Sequence, residues 1–249
     1  MSVATEIERL QQAKADLKIA IEAKGVTVPS SALIDDYADL VEQISGGGED
    51  YVQSGLIFHL DGSNATTSQW VDKAQGITFN MANVVLANGG VVFNGSSSKG
   101  TSSVPLYNAS YLCGTIEVVI STNSPSTTQF VLDPGNTFSM AYGLLSGRAL
   151  CFMSGPGSST TQNSAIIGSG VFVQTVVKSS LNYINGSPSS FGAADAWSKN
   201  NSYITIGCRN NNSSYFNGTI YQIRVYAREL TVSEILHNHT IDIAKYNIQ

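Results

Sequence analysis

The stretch YFNGTIYQIRVYARELTVSEILHNH, residues 215–239, sets a strand and a helix start side by side. After Asn217-Gly218, the run Thr219–Tyr226 is built largely of β-branched and aromatic residues, which suit a pleated, half-buried surface. The run stops at Arg228-Glu229-Leu230. Thr231 and Glu234 then stand three apart, so each side chain can satisfy the other's backbone amide, and Leu230 can pack on Ile235. A strand feeding a short capped helix is the expectation.

Upstream, back to Tyr51, short runs of Val, Ile, Phe and Tyr alternate with turns about every eight to twelve residues, the pattern of an antiparallel sandwich. Strands are expected at Gly55–Leu60, Ile77–Asn80, Val91–Asn94, Thr115–Ser121, Gln129–Leu132, Phe138–Tyr142, Ala149–Met153, Val171–Lys178, Asn182–Ile184 and Tyr203–Gly207. In the fourth of these, Ile116, Val118 and Ile120 share one face. Asn185-Gly186 marks the clearest hairpin, because a type I′ turn needs positive φ at both central residues. Composition agrees with many turns: 12% of residues are charged, against about 25% on average, and Ser, Asn, Thr and Gly take their place. With 42% apolar residues the chain is not read as disordered.

Charge divides the 249 residues in two. Residues 1–50 hold ten acids and four bases, net −6, and residues 51–249 hold eight acids and nine bases, net +1, together −5. We expect a helical module over 1–45, a Gly-rich linker over 46–50 containing Gly46-Gly47-Gly48, and a second domain over 51–249. In the first helix Val3, Ile7, Leu10, Lys14, Leu17 and Ile21 fall at spacings of four and three, a heptad seam with one polar position that can fix register and oligomer number. Gly25 stops that helix. Pro29 and the following serines restart a second, with Asp35 and Asp36 in its early turns and Leu33, Tyr37, Leu40, Val41 and Ile44 on one face. A hairpin this small buries too little to stand alone, so it either gathers copies of the chain, docks elsewhere or folds on the second domain.

Two resemblances add to this reading. AKADLKIAIEAKGVTVPSSALIDDYADLVEQI, residues 13–44, resembles an N-terminal module of bacteriophage structural proteins, fibres included. GLIFHLDGSN, VVFNGSSSKG, GTIEVVIS, NYINGS, ITIGCRNNN and the closing block 215–239 resemble a laminin-G-like jelly roll of the concanavalin A-like lectin and glucanase superfamily. They imply a mainly β fold of two antiparallel sheets with six or seven strands each, behind a helical hairpin. The first of them also implies a virion protein, head or tail fibre, assembled in the bacterial cytoplasm beside other virion proteins; from the helical segment we expect a homo-oligomer, a trimer in the first instance.

The superfamily includes glucanases, whose Glu-x-Asp-x-x-Glu pattern starting at Glu117 would need acids where this chain has Val119 and Thr122. Retaining glycosidases need two carboxyl groups about 5–5.5 Å apart, and Asp61, Asp72, Glu117, Asp133, Asp195, Glu229, Glu234 and Asp242 show no paired spacing. No enzyme is expected. Laminin-G-like folds often hold calcium near the rim, and Asp61, Asn64 and Asp72 are the weak candidates to converge on one, although turn capping by Asp61 is the simpler reading. His59, His237 and His239 do not form a chelate, and Cys113, Cys151 and Cys208 read as buried thiols rather than a disulfide framework or zinc site.

Scattered bases and near-neutral charge after residue 50 exclude nucleic acid as the expected partner. No secretory signal or apolar run of membrane-spanning length is present. What fits is a neutral glycan, held by amides, hydroxyls and a ring. Arg209, Asn210, Asn211, Asn212 and Tyr215 are the expected site, with Trp70 and Trp197 as further platforms. The plain alternative makes them turn asparagines and half-buried aromatics. A capsid decoration role without sugar binding and, less favoured, a glycan hydrolase are the other functional readings.

Overall fold

A computed structural model describes residues 2–22, 27–42, 50–105, 114–124, 127–133, 142–145, 148–153, 160–166, 170–177, 181–192, 203–210 and 212–248. The chain forms two compact units, Met1–Tyr51 and Val52–Gln249.

In the first unit, helix α1 spans Val3–Glu22, and after a short 3-10 turn at Ile34–Asp36 helix α2 spans Tyr37–Glu42. Ile21, Val28, Ala32, Tyr37 and Leu40 make its buried cluster. The seam therefore splits. Ile21 is inside, and Lys14 turns inward too, its ammonium donating to the Ala32 carbonyl and lying 5.6 Å from the Tyr37 ring centre. Val3, Ile7, Leu10 and Leu17 stay exposed, at 78, 50, 59 and 39% of their surface. The second helix starts later than Pro29 and its serines suggest. The cap belongs to the 3-10 turn before it, where the Asp36 carboxylate accepts from the Leu33 amide at 2.6 Å. The 3-10 turn shifts the helical phase, and Leu33 and Val41 face out while Tyr37 and Leu40 face in. Gly25, Ile44 and the three linker glycines lie outside the described residues.

The second unit is a sandwich of two eight-stranded antiparallel sheets. The first sheet contains β1 (Leu56–Asp61), β4 (Val85–Ala87), β5 (Gly90–Asn94), β7 (Thr115–Thr122), β12 (Phe172–Val177), β13 (Leu181–Ile184), β14 (Ser187–Gly192) and β16 (Asn217–Tyr226). The second contains β2 (Gln69–Val71), β3 (Thr78–Ala82), β6 (Lys99–Ser102), β8 (Gln129–Asp133), β9 (Tyr142–Leu145), β10 (Arg148–Met153), β11 (Thr160–Ile166) and β15 (Thr205–Ile206). The ten residues of β16 organise the first sheet. One edge pairs β7 throughout, with a register shift at Tyr221, and the other pairs β5 along Asn217–Ile220 and β1 along Gln222–Tyr226. The core between the sheets holds Phe58, Trp70, Phe79, Phe93, Ile116, Val118, Ile120, Leu132, Ile206, Ile223 and Val225, among others.

Helix α3, Val232–Tyr246, carries the expected capping box between Thr231 and Glu234. It is fifteen residues long rather than short. Four turns are needed because Ile235, Asn238, His239 and Asp242 all reach the outer face of the first sheet, a buried stripe with polar members that apolar periodicity does not mark. Asn185 and Gly186 take φ of 48° and 71°, the expected hairpin turn. Short edge strands β2 and β4, and β6, β11 and β14, are additions to the expected set; of the expected Phe138–Tyr142 only Tyr142 is described.

Candidate functional site

The outer face of the first sheet is polar and closed. Arg224 donates through Nε to Glu117 at 3.0 Å and through Nη1 and Nη2 to Asp242 at 3.0 and 2.6 Å, with all three side chains at most 1% exposed. Thr175 and Asn238 also donate to Glu117, at 3.1 and 2.6 Å, and Asn238 donates to the Tyr226 hydroxyl oxygen. Burial pushes the Glu117 carboxyl up, against the pull of Arg224. A carboxylate so enclosed ties strand to helix and faces no groove. Beside it His59 Nε2 meets Gln222 Oε1 at 2.7 Å, and Gln222 donates to the Tyr246 hydroxyl; burial lowers the imidazole to about 4, so His59 is neutral at pH 7.

The three calcium candidates are spent on other work. Asp61 caps the turn Gly62–Asn64 through the Ser63 amide and receives the Lys73 and Lys245 ammoniums at 2.7 and 3.0 Å. Despite burial, these donors hold its carboxyl well below the usual range. Asp72 accepts the backbone amides of His59, Ala74 and Gln75, and Asn64 donates to the Val71 carbonyl. A cation would have to displace two lysines, so these residues do not fit calcium. Among the described residues no cluster of three His, Cys, Asp or Glu could hold a metal.

Trp70 is not a sugar platform. It is 0% exposed, and its indole donates to the Asp61 carbonyl at 2.8 Å inside the core. On alternating β2 it takes the inward position between exposed Gln69 and Val71. Trp197 and Asn211 lie outside the described residues. Cys208 is buried, whereas the side chains of Cys113 and Cys151 are outside that set.

Of the remaining candidates, Arg209, Asn210 and Asn212 share one hairpin and Tyr215 follows it. Gly207 ends β15 at φ +79°, where a Cβ would stand 2.1 Å from the Phe93 ring, so only glycine lets the chain leave the strand there. The chain then folds into a tight hairpin: the Arg209 amide donates to the Ser213 carbonyl and the Asn212 amide to the Arg209 carbonyl, both at 2.9 Å, with Asn212 at φ 56°. This hairpin lies against β8. The Phe130 amide donates to the Ser214 carbonyl, and the Asn210 amide to Asp133 Oδ2 at 2.9 Å. Arg209, Asn210 and Asn212 are exposed and Tyr215 is half-buried. The Arg209 guanidinium sits 5.6 Å from the Phe130 ring centre, and Lys99 Nζ donates to Asn212 Oδ1 at 2.8 Å. Phe130, Asp133 and Lys99 belong to this group although spacing along the chain does not join them to it. One signal was present: Lys99 and Asp133 are charges in a domain with few.

Comparison with known proteins places this architecture. Residues 93–236 match the Laminin_G_3 family model of the concanavalin A-like lectin/glucanases superfamily. A Trypanosoma rangeli sialidase in complex with sialic acid is similar at a TM-score of 0.58 and 17% identity, over 93% of this chain and 38% of that one. The binding domain of botulinum neurotoxin DC in complex with rat synaptotagmin II is similar at 0.58 and 17%, over 76% and 51%. A botulinum neurotoxin type C structure concerned with binding of two ganglioside molecules is similar at 0.57 and 17%, over 76% and 51%. This chain thus spans between 38 and 51% of those chains, and identities this low show a shared fold alone. No curated protein matches. With more than half of its residues matched by the family model, closed by the β16 and α3 pair described above, the chain belongs to the concanavalin A-like lectin/glucanases superfamily.

Proposed function

We propose that this chain is a fibre-type structural protein of a bacteriophage virion whose sandwich attaches to glycans on a host or mucosal surface without breaking bonds. The observation that carries the binding half is the Arg209–Ser213 hairpin: a guanidinium and two side-chain amides are exposed on it, the guanidinium lying over the buried Phe130 ring. The virion half rests on the resemblance of residues 13–44 to a phage module. Exposed Val3, Ile7, Leu10 and Leu17 support a self-associating stem, since an apolar stripe of this spacing is stabilised by other helices. Several copies on one stem would turn weak contacts into firm attachment.

A capsid decoration role has its own support in the exposed Val232, Leu236 and Ile243 on α3 and Val85 and Leu86 on edge strand β4, which would suit packing against neighbours. A glycan array read with the full chain separates the two: attachment predicts discrete signals above background, decoration none. Native mass of the full chain and of a variant carrying Ile7→Glu and Leu10→Glu tests the stem. Both positions are exposed within the subunit, so the expected result is an oligomer that becomes a folded monomer. A wild-type monomer removes the stem from the account.

A further inference from the structure

The two outer faces of the sandwich use their polar residues differently. On the first sheet the polar side chains pair with one another beneath α3. On the second, cross-strand register places Gln69 opposite Asn80, Asn80 opposite Thr101, Thr101 opposite Thr205, and Thr205 opposite Asp133. Their inward neighbours Trp70, Phe79, Leu132 and Ile206 are core residues, so these five side chains stand in one row across the outer face of β2, β3, β6, β15 and β8. Five strands about 4.8 Å apart make a row about 19 Å long. Among the described residues, the side chains of Gln69, Asn80, Thr101 and Thr205 make no hydrogen bond within the protein. The row starts exposed at Gln69 and Asn80 and ends buried at Thr205 and Asp133, 4 and 6% exposed. Tyr203, 49% exposed, precedes Thr205 by two positions on the same strand direction.

The buried end of the row meets the hairpin, because Asp133 holds the Asn210 amide. Charge there is unlike charge elsewhere in the sandwich. Lys73 and Lys245 are paired with Asp61, Arg224 with Glu117 and Asp242, and Arg228 with Glu234. Among the described side chains of residues 52–249, Lys99 and Arg209 are the cations without a carboxylate partner, and both belong to the hairpin group. Among the described side chains, Lys99 and Arg209 thus bring two cations to a group that holds one carboxylate, Asp133.

We infer that the row and the hairpin form one binding surface for a carboxylated oligosaccharide, a sugar-acid chain whose hydroxyls meet Gln69, Asn80 and Thr101 and whose carboxylate pairs with Lys99 and Arg209. The inference rests on the glycan-binding reading above and changes its ligand from a neutral to an acidic sugar. Amide and hydroxyl groups serve both as donors and acceptors for ring hydroxyls, and a guanidinium is a directional partner for a carboxylate.

The test uses the full chain on an array of oligogalacturonates, oligoguluronates, sialylated and sulfated oligosaccharides and neutral glucans and mannans, followed by carboxyl reduction of the strongest acidic probe. The surface predicts a carboxylated probe as the strongest, at least tenfold weaker binding after carboxyl reduction, and at least tenfold weaker binding both for Asn80→Leu and for Lys99→Gln with Arg209→Gln. Unfolding midpoints should match the parent for Asn80→Leu and lie close to it for the double variant, since Asn80 and Arg209 are exposed and Lys99 is half-buried. Strongest binding to a neutral probe, or equal binding to sulfated and carboxylated probes, overturns the acidic-sugar assignment and leaves glycan binding standing. An acidic probe bound equally by parent and variants overturns the location. No binding to any probe removes both the surface and the reading it rests on.

Discussion

Replacing Arg224 by methionine should lower the unfolding free energy by about 3–5 kcal/mol, the usual cost of removing one partner of a buried ion pair. Three of its nitrogens donate to Glu117 and Asp242, and none of the three side chains reaches water. Methionine fills much of the volume but leaves two carboxylates enclosed away from water without their cation, one on β7 and one on α3, so the helix loses its hold on the sheet. The deficit should shrink as pH falls, because the Glu117 carboxyl, pushed up by burial, loses its uncompensated charge on protonation. Urea denaturation of parent and variant at pH 7 and pH 5 measures both effects. A loss below about 1 kcal/mol would show that packing alone seats α3.

Trp70→Ala should be comparably damaging, by about 3–5 kcal/mol, for a different reason: a large cavity opens between the sheets. The substitution also strips the Asp61 carbonyl of its indole donor, adding the cost of an unmet buried acceptor. Because Trp70 points away from the proposed surface, sugar binding per folded molecule should be unchanged. Equilibrium denaturation and a binding titration on the same preparation decide this. Normal stability with lost binding would return Trp70 to the role of sugar platform.

How far the sequence could be read follows from which interactions leave a local trace. Alternation of Val, Ile and aromatics marks β7, β12 and β16, the Asn185-Gly186 turn marks its hairpin, and Thr231 with Glu234 marks the start of α3. These are rules acting over two to four residues. Edge strand β4, three exposed residues, and β2, three residues with one inward, carry too little pattern to distinguish from loop. The length of α3 was hidden because Asn238 and Asp242 are buried by polar partnership with Glu117, Tyr226 and Arg224 rather than by apolarity. The Trp70 misreading has the same source: its inward position depends on pairing with Phe79, nine residues along the chain. The hairpin at Arg209 was legible as a cluster of amides; that Lys99, Phe130 and Asp133 join it depends on strand order, which spacing does not carry. Lys14 likewise fits a heptad position until Ala32 and Tyr37 are placed beside it.

Ligand should meet the outer face of the second sheet at the hairpin. Amide hydrogen exchange of the full chain, with and without the saccharide that binds most tightly on the array, reads that face directly. Exchange should slow at residues 99–101 and 205–213, with α3 and β1 unaltered. Protection concentrated on α3 or β4, with the hairpin unchanged at saturating saccharide, would contradict this placement.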